Sequence, residues 1–309
     1  MEFIVADLLP ALENISLDQW DQDVFRENDL QVDVLRLDKI HPEISGNKWF
    51  KLKNYLLQAK QENKKKLVSF GGAYSNHLIA LAEFSRLYGF SSAAFIRGEE
   101  PVRLSHTLQA AKKRGMELRF LPRREYQEKK QSVFLTGHAN PETAELLIPE
   151  GGAGKAGIRG AAEILSCLPT AHYSHICCAV GTGATLAGLV NSAGPDQKIF
   201  GVSVLKGTID FEPLQDSWIT LPASLKNVQL IHEDHFGGYA KTSKSLFNFM
   251  NRVFSESGIP TDFVYTGKLF FSVERMAAGK IFPAGSRILV LHTGGLQGNR
   301  SLAPGLLQF

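Results

Sequence analysis

Cysteine is scarce in this sequence: Cys167, Cys177 and Cys178 are the only ones among 309 residues. An odd, sparse set without Cys-x-x-Cys spacing provides neither a disulfide framework nor a cysteine zinc site. His232 and His235 likewise fit no zinc-protease spacing, so we predict no metal site. Because disulfides are rare where thiols stay reduced, we expect the protein in the cytoplasm.

Long apolar runs and excess charge are also absent. No stretch of about 18 uncharged apolar residues occurs, and no basic region precedes a long apolar run near the start of the chain. The formal net charge of +3 is too small and too evenly spread to indicate nucleic-acid or membrane binding. The 44% hydrophobic and 21% charged residues are typical of a soluble globular protein. We therefore expect no membrane span, no signal peptide, and neither nucleic acid nor a membrane as partner.

Apolar segments alternate with helical patterns along the chain, which is typical of α/β folds with mostly parallel sheets. We predict strands at residues 31–37, 67–70, 92–96, 117–121, 175–180, 199–205, 228–231 and 287–292. We predict helices at residues 47–62, 75–87, 103–114, 123–130, 155–165, 239–255 and 268–278. Residues 1–30 are predicted to be irregular.

A glycine-rich turn joins a predicted strand to a predicted helix and consists of Gly181, Thr182, Gly183, Ala184 and Thr185. This geometry directs backbone N–H groups and the helix dipole towards an anion, most naturally a phosphate. No P-loop lysine follows, and the glycine spacing misses the dinucleotide pattern. The turn therefore favours a small phosphate over NAD or ATP, although a plain turn without ligand fits it equally well.

A second turn ends another predicted strand and opens a helix with the residues Tyr74, Ser75, Asn76 and His77. Ser75 fits an N-cap. Asn76 and His77 then fall in the first helical turn, at the carboxyl edge of the sheet, where α/β proteins bind their ligands. Because these polar groups exceed what capping requires, we expect a ligand there.

Two lysines, Lys48 and Lys51, lie at the start of the helix that follows Gly46 and Asn47. An ammonium near a helix N-terminus is disfavoured, so its pKa should be lowered. A lysine with a lowered pKa can form a Schiff base with a carbonyl cofactor. Most lysines are instead solvated on the protein surface. The position at the helix start does not by itself choose between Lys48 and Lys51.

Two more turns offer hydroxyl groups. Tyr265 is followed by Thr266, Gly267 and Lys268, and it is either a core aromatic or an acid–base group near a reacting carbon. Thr293 lies in a His-Thr-Gly-Gly turn at the end of the last predicted strand, which could also be a turn without any ligand.

Taken together in their order along the chain, the five motifs resemble those of the pyridoxal-phosphate enzymes of the 1-aminocyclopropane-1-carboxylate deaminase and D-cysteine desulfhydrase family. The resemblance extends from about Val32 to Gly295. It implies the tryptophan-synthase-β-like fold, fold type II, with two open three-layer α/β/α domains. The large domain would comprise residues 1–47 and 152–309, the small domain residues 48–151, and the active site the cleft between them.

The resemblance also implies a role for each motif. Lys48 resembles the lysine that binds the cofactor covalently, Lys51 a lysine beside the phosphate, and Asn76 the partner of the cofactor's ring hydroxyl. Ser75 and Tyr265 resemble catalytic residues that also contact the substrate, as His77 and Tyr74 would. The predicted cofactor-binding residues are Lys48, Lys51, Asn76, Gly181, Thr182, Gly183, Ala184, Thr185, Thr266 and Thr293.

Thr266 and Thr293 distinguish two branches of this family. The deaminase branch has Glu and Leu there, whereas threonines resemble the desulfhydrase branch. A carboxylate facing the pyridine nitrogen makes the ring a stronger electron sink, suited to opening a cyclopropane, while a hydroxyl suffices for eliminating a thiolate. The sequence departs from the family's usual motifs at two positions. A single Gly46 stands where Gly-Gly is usual, and Tyr74 stands where Gln is usual, which would narrow or reshape the substrate pocket.

The sequence thus predicts a pyridoxal-phosphate-dependent lyase that converts D-cysteine or a related D-amino acid to pyruvate, ammonia and sulfide. One alternative is 1-aminocyclopropane-1-carboxylate deamination to 2-oxobutanoate and ammonia. Another, of a different class, is a non-catalytic phosphate- or nucleotide-binding α/β protein. The expected partners are a small amino-acid substrate and, by analogy with the fold, a second copy in a homodimer.

Overall fold

The computed structural model describes residues 12–128, 144–207 and 226–309. Its strands are β1 (Leu17–Gln19), β2 (Gln31–Arg36), β3 (Lys66–Gly71), β4 (Ser91–Arg97), β5 (Met116–Leu121), β6 (Glu145–Leu147), β7 (His175–Val180), β8 (Lys198–Ser203), β9 (Val228–Ile231) and β10 (Arg287–His292). Its α-helices are α1 (Asp23–Glu27), α2 (Asn47–Gln61), α3 (Asn76–Leu87), α4 (His106–Lys113), α5 (Arg123–Gln127), α6 (Lys155–Ala161), α7 (Ala184–Ser192), α8 (Lys244–Ser257) and α9 (Thr266–Ala278).

The strands form two sheets. One has six strands in the order β1-β2-β10-β7-β8-β9, and the other has four in the order β5-β4-β3-β6. Among the strands of the described residues, only β1 is antiparallel to its neighbour, and every other strand pairing is parallel. The α/β fold with mostly parallel sheets is thereby confirmed, as is the prediction that the strand at residues 31–37 joins the sheet of the C-terminal half.

Alternate residues of the central strand β10 pack into two separate apolar clusters. Leu289 and Leu291 face the cluster that contains α2 and α7, whereas Ile288 and Val290 face the one that contains α8 and α9. Successive side chains of a strand point to opposite faces. Helices therefore cover both faces of the six-stranded sheet, which gives it the predicted three layers.

The four-stranded sheet is covered in the same way. Leu67 of β3 faces the cluster shared with α2, α3 and α4, while Val68 and Phe70 face a smaller cluster that includes Tyr126 of α5. The strands of this sheet all come from residues 48–151, and those of the larger sheet from the rest of the chain. The division into two domains at these boundaries stays a prediction.

Several secondary-structure elements differ from those predicted from the sequence. Residues 1–30 are not wholly irregular, because β1 and α1 lie there, and β6 was missed because it has only three residues. The helix predicted from residue 239 begins at Lys244, since Ser243 caps it by accepting a hydrogen bond from the Leu246 N–H (3.2 Å). Residues 129–130 of another predicted helix lie outside the described residues. None of the helices in the described ranges is long and apolar enough to cross a membrane.

Helix α2 begins where two backbone segments meet closely. Gly46 has φ +66°, and the Asn47 N–H donates to the Thr293 carbonyl oxygen at 3.4 Å. A Cβ atom on Gly46 would lie 1.9 Å from that oxygen, and one on Gly294 would lie 2.4 Å from the Ser45 hydroxyl. Only glycine fits this contact, which fixes the start of α2 to the carboxyl end of β10.

A buried lysine fixes a second segment near the same edge. Lys268 in α9 is fully buried, and its ammonium donates to the carbonyl oxygens of His235 (2.9 Å) and Gly238 (2.7 Å). Burial lowers the pKa of Lys268 to about 8, although Asp262 acts in the opposite direction. This ammonium therefore ties α9 to the turn that leads into Tyr239.

The contact at Gly46 can be tested by comparing two glycine substitutions. Gly46→Ala should lower the free energy of unfolding by about 2–4 kcal/mol, because a strained φ and a backbone collision add up. Gly89→Ala is the matched control, since Gly89 also has a positive φ (+73°) but open space around its Cβ position. It should cost only about 1 kcal/mol. If urea denaturation shows the same loss of unfolding free energy for both variants, the contact with Thr293 contributes nothing to stability.

The pKa of Lys268 predicts a pH-dependent difference in stability. Between about pH 8 and 10.5 the unfolded chain holds a proton on this amine that the folded chain has lost. Stability rises with pH where the unfolded state binds more protons. The unfolding free energy of the wild type should therefore rise relative to that of Lys268→Met between pH 7 and 10. For the exposed control Lys244→Met, the difference in unfolding free energy from the wild type should stay constant with pH. A constant difference for Lys268→Met as well would contradict the lowered pKa of Lys268.

Candidate active site

The carboxyl ends of β3, β4, β7 and β10 border one cavity of about 940 Å³. Most of the residues predicted from the sequence line it. They are Lys48, Lys51, Tyr74, Ser75, Asn76, His77, Gly181, Thr182, Gly183, Thr185, Tyr265 and Thr293. Twelve of the fourteen predicted site residues, from five separate segments, therefore meet in one place.

Lys48 lies in the first turn of α2, next to a residue that the sequence did not single out as part of the site. Its ammonium donates to Asn47 Oδ1 at 2.9 Å, and the amide nitrogen of Asn47 donates to the Thr185 hydroxyl at 2.8 Å. Burial lowers the pKa of Lys48 to about 8, opposed by the negative charge of Asp262. Asn47 thus links the reactive amine to the glycine-rich turn, and a sizeable share of that amine is neutral near physiological pH.

Lys51 lies one helical turn further along α2 and is almost completely buried. Burial, reinforced by the positive charge of Lys48, holds the pKa of Lys51 well below its usual range. Two amines held in one cavity favour an anion between them, because a negative charge relieves their mutual repulsion.

The glycine-rich turn follows β7 and opens α7, as predicted. Gly183 adopts a left-handed conformation (φ +81°) at the N-cap of α7. The first N–H groups of a helix have no intrahelical acceptor, and the helix dipole adds positive potential there. Since this helix start, Lys48 and Lys51 line the same cavity, the site suits a phosphate.

Helix α3 begins at the predicted substrate turn. Ser75 is its N-cap and accepts a hydrogen bond from the Leu78 N–H at 3.4 Å, so its capping interpretation is correct alongside its place on the cavity wall. His77 Nε2 lies 2.7 Å from the Ser69 hydroxyl, which itself donates to the Ile148 carbonyl oxygen. Burial and the nearby lysines hold the pKa of His77 well below its usual range, so its imidazole is neutral.

Tyr265 packs against the glycine-rich turn and against a second tyrosine. Its ring lies 3.1 Å from the Cβ position of Gly181, and its hydroxyl donates to that of Tyr239 at 3.4 Å. Burial, with Tyr239 adding to it, raises the pKa of Tyr265 well above its usual range. At neutral pH Tyr265 therefore holds its proton and can act as a donor.

Two predicted residues do not lie on the cavity wall. Ala184 is the first residue of α7. The Thr266 hydroxyl donates to Asp262 Oδ1 (2.8 Å) and accepts from the Asp262 N–H (2.7 Å). The prediction that Thr266 faces the cofactor needs correction, since this hydroxyl is engaged with a buried carboxylate behind the wall. Thr293 is the one of the two branch-defining threonines that borders the cavity.

The sequence missed several residues of the site. Asn47 stood within a quoted motif. Arg97 ends β4 and Glu150 follows β6, so both could have been found as residues at carboxyl edges. Tyr239 was placed in a helix that begins five residues later. Asp262 accepts backbone hydrogen bonds from Val264 and Tyr265 (2.9 and 3.0 Å) and so shapes the turn before α9.

The residues present fit pyridoxal phosphate. Asn76 Oδ1 is buried without a hydrogen-bond partner among the described residues, as expected of an amide that faces a ligand's ring hydroxyl. A Cβ atom on Gly295 would lie 2.9 Å from the Asn76 amide nitrogen, so this wall leaves no room for a side chain. A carbonyl-reactive amine, a phosphate site and a polar group for the ring are therefore present together. The described residues contain no group of three or more metal-ligating side chains.

Comparison with known proteins agrees with this geometry. The family model described as "Pyridoxal-phosphate dependent enzyme" matches residues 27–294. A Pyrococcus horikoshii protein with the provisional name 1-aminocyclopropane-1-carboxylate deaminase is 27% identical over 317 residues, covering 94% of each chain. The bifunctional D-cysteine desulfhydrase/1-aminocyclopropane-1-carboxylate deaminase of Arabidopsis thaliana is 26% identical, covering 88% of this chain and 74% of that protein.

Solved structures share the fold. A crystal structure of a 1-aminocyclopropane-1-carboxylate deaminase homologue superposes with a TM-score of 0.76 at 24% identity, covering 97% of each chain. A hydrogen sulfide-producing enzyme from Fusobacterium nucleatum superposes with a TM-score of 0.65 at 16% identity, covering 96% of this chain and 99% of that one. The predicted resemblance and the cofactor are confirmed, and the chain belongs to the pyridoxal-phosphate dependent enzyme family.

Proposed function

We propose that this enzyme is a lyase that eliminates the β-substituent of D-cysteine or a related D-amino acid, giving pyruvate, ammonia and sulfide. The observation that supports this most directly is the position of Lys48. Its amine, with a pKa of about 8, shares one cavity with an anion site at α7 and a second helix start at Ser75. The proposal names Lys48, Ser75 and Tyr265 as the catalytic residues.

Bound pyridoxal phosphate supplies a carbonyl group that condenses with amines and a conjugated ring that accepts electrons from the substrate α-carbon. Lys48 Nζ would hold the cofactor until the substrate amine replaces it, and the released amine is then free to accept a proton. The start of α7 and Lys51 would bind the phosphate, and Asn76 the ring hydroxyl. The start of α3 would orient the substrate carboxylate, since helix N-termini bind anions.

The α-proton must pass to a base close to the substrate. Lys48 Nζ is one candidate, because its lowered pKa makes it neutral more often than an ordinary lysine. The Ser75 hydroxyl is the other. Tyr265 keeps its proton at neutral pH and lies across the cavity, so it can donate to a departing thiolate or to a substrate oxygen. Loss of that thiolate and hydrolysis of the released enamine complete the products.

Thr293 supports elimination over opening of a cyclopropane ring. Among the described residues, Glu150 provides the only carboxylate on the cavity wall, and it belongs to the segment that follows β6. Both oxygens of Asp262 are occupied by hydrogen bonds to residues 264–266. The wall at β10 therefore offers a hydroxyl rather than a carboxylate, which suits the easier loss of a thiolate.

Deamination of 1-aminocyclopropane-1-carboxylate is the second candidate, favoured by the names of the relatives from Pyrococcus and Arabidopsis. Both reactions need the same lysine, phosphate site and carboxylate site. They differ in the substrate and in the oxoacid released. The homodimer, the cytoplasmic location and the two-domain division remain predictions.

Replacing each lysine separately should distinguish their roles. Lys48→Ala should lose the visible absorbance and the borohydride-reducible covalent link that a lysine-bound cofactor gives. Lys51→Ala should retain both but should bind pyridoxal phosphate at least tenfold more weakly, because one charge-assisted hydrogen bond is worth about 1.5–3 kcal/mol. Absorbance spectroscopy with peptide mapping after reduction would measure this. A reducible link that survives in Lys48→Ala would refute the assignment.

A substrate panel tests the reaction itself. The holoenzyme should release pyruvate from D-cysteine and β-chloro-D-alanine, and at a much lower rate from D-serine, whose hydroxide is a poorer leaving group. It should release little 2-oxobutanoate from 1-aminocyclopropane-1-carboxylate. The two oxoacids are separated by chromatography of their hydrazones, and L-cysteine serves as the stereochemical control. Release of 2-oxobutanoate as the dominant activity would favour the second candidate instead.

A further inference from the structure

The cavity contains a cation for which the proposed reaction has no use. Four charged side chains line the described part of its wall: Lys48, Lys51, Arg97 and Glu150. The two lysines are accounted for by the cofactor, and Glu150 lies beside Tyr126, where it helps to raise the pKa of that hydroxyl after burial. Arg97 is left without a role.

Arg97 lies next to the turn that starts α3. It is the last residue of β4, and the preceding Ile96 pairs with Gly71 of the neighbouring β3. One of its guanidinium nitrogens lies 3.6 Å from the Cβ position of Gly72. The guanidinium therefore borders the short segment that leads to Ser75.

Arg97 also differs from other arginines of the same sheet and its helices. Arg86, Arg114 and Arg119 each form an ion pair with a glutamate at 2.7–2.9 Å. Arg97 has no hydrogen bond or ion pair with any residue of the described ranges and is exposed to the cavity mouth. A guanidinium offers five donors in a planar fork that matches a carboxylate.

The surroundings leave room for more than cysteine beside the cofactor. The volume of about 940 Å³ lies at the upper end of the range for small-molecule sites, roughly 300–1,000 Å³. Tyr239 lines the wall contributed by the larger sheet. Burial raises the pKa of its hydroxyl, and the positive charge of Arg97 acts on that pKa in the opposite direction. Arg97 and Tyr239 therefore border the same region of the cavity.

The four substituents of the substrate α-carbon decide which part of the substrate can reach Arg97. The amine condenses with the cofactor, the carboxylate lies at the start of α3, and the hydrogen faces the base. Only the side chain remains to extend towards the mouth of the cavity. In an elimination, the end of that side chain belongs to the leaving group.

We propose that Arg97 binds a carboxylate at the far end of the leaving group, so that the preferred substrates are β-substituted D-alanines with an acidic β-substituent. This rests on the lyase function proposed above. For S-carboxymethyl-D-cysteine, the α-proton goes to the base, and the Cβ–S bond breaks with its electron pair remaining on sulfur. The released enamine then hydrolyses, so that one water is consumed and pyruvate, ammonia and mercaptoacetate are formed.

Two probes that differ only in charge test this. S-carboxymethyl-D-cysteine carries the carboxylate, and S-carbamoylmethyl-D-cysteine carries a neutral amide of nearly the same shape. The wild-type holoenzyme should prefer the carboxylate by about tenfold or more in kcat/KM, mainly through KM, as one charge-assisted contact predicts. Arg97→Gln should reduce this preference to about one, and Arg97→Lys should retain part of it. Arg103→Gln, which removes an exposed arginine outside the cavity wall, should keep the full preference.

The measurements separate failure of this proposal from failure of the lyase function. Turnover of β-chloro-D-alanine with no preference between the probes, or an equal loss for both in Arg97→Gln, would refute the role of Arg97 and leave the lyase function intact. Absence of turnover with every D-amino acid would instead refute the lyase function. Calorimetric dissociation constants of the two probes would then decide about Arg97 independently, since tighter binding of the carboxylate probe must disappear in Arg97→Gln.

Discussion

The contact between Gly46 and Thr293 is the constraint on which the site depends. It joins the first residue of α2 to the carboxyl end of β10 through backbone atoms alone, at a distance that no side chain permits. Lys48 follows Gly46 by two residues, so the contact places its backbone, while the hydrogen bond to Asn47 Oδ1 orients its amine. Asn47 also donates to the Thr185 hydroxyl in the glycine-rich turn. The backbone contact and the Asn47 side chain together place the Lys48 amine beside that turn.

Charge explains why such an arrangement suits a phosphorylated carbonyl compound. Lys48 and Lys51 lie one helical turn apart on the wall of one cavity, and burial lowers the pKa of both. Burial favours the neutral amine at Lys48, and a neutral amine is the form that attacks a carbonyl. The positive charge of Lys48, which helps to lower the pKa of Lys51, also favours an anion beside the two amines.

We expect substrate selection to depend on a different part of the cavity wall. The proposed cofactor contacts come mainly from α2, α7 and the end of β10, whereas Tyr74, Arg97 and Tyr239 are the solvent-exposed residues considered above for the substrate. The turn that holds Tyr239 is tied to α9 by Lys268, and Tyr74 stacks near His106 of α4 with a ring distance of 5.7 Å. These contacts are separate from those that hold Lys48 beside the glycine-rich turn. This separation is consistent with a family whose members carry the names of more than one reaction.

The sequence by itself determined the parts of this protein that follow from local patterns. Glycine spacing, caps and apolar alternation located β7, β10, α2 and α3 to within about one residue, because hydrogen bonds and side-chain periodicity within each segment decide those elements. The choice of Lys48 over Lys51 came instead from the family resemblance, and the roles of these residues stay predictions. Only the tertiary structure decided which hydroxyls face the cavity: Thr266 turns to Asp262 while Thr293 lines the wall. It also brought Arg97 and Tyr239 to the mouth, since their positions follow from contacts between segments far apart in the chain, which no local pattern encodes.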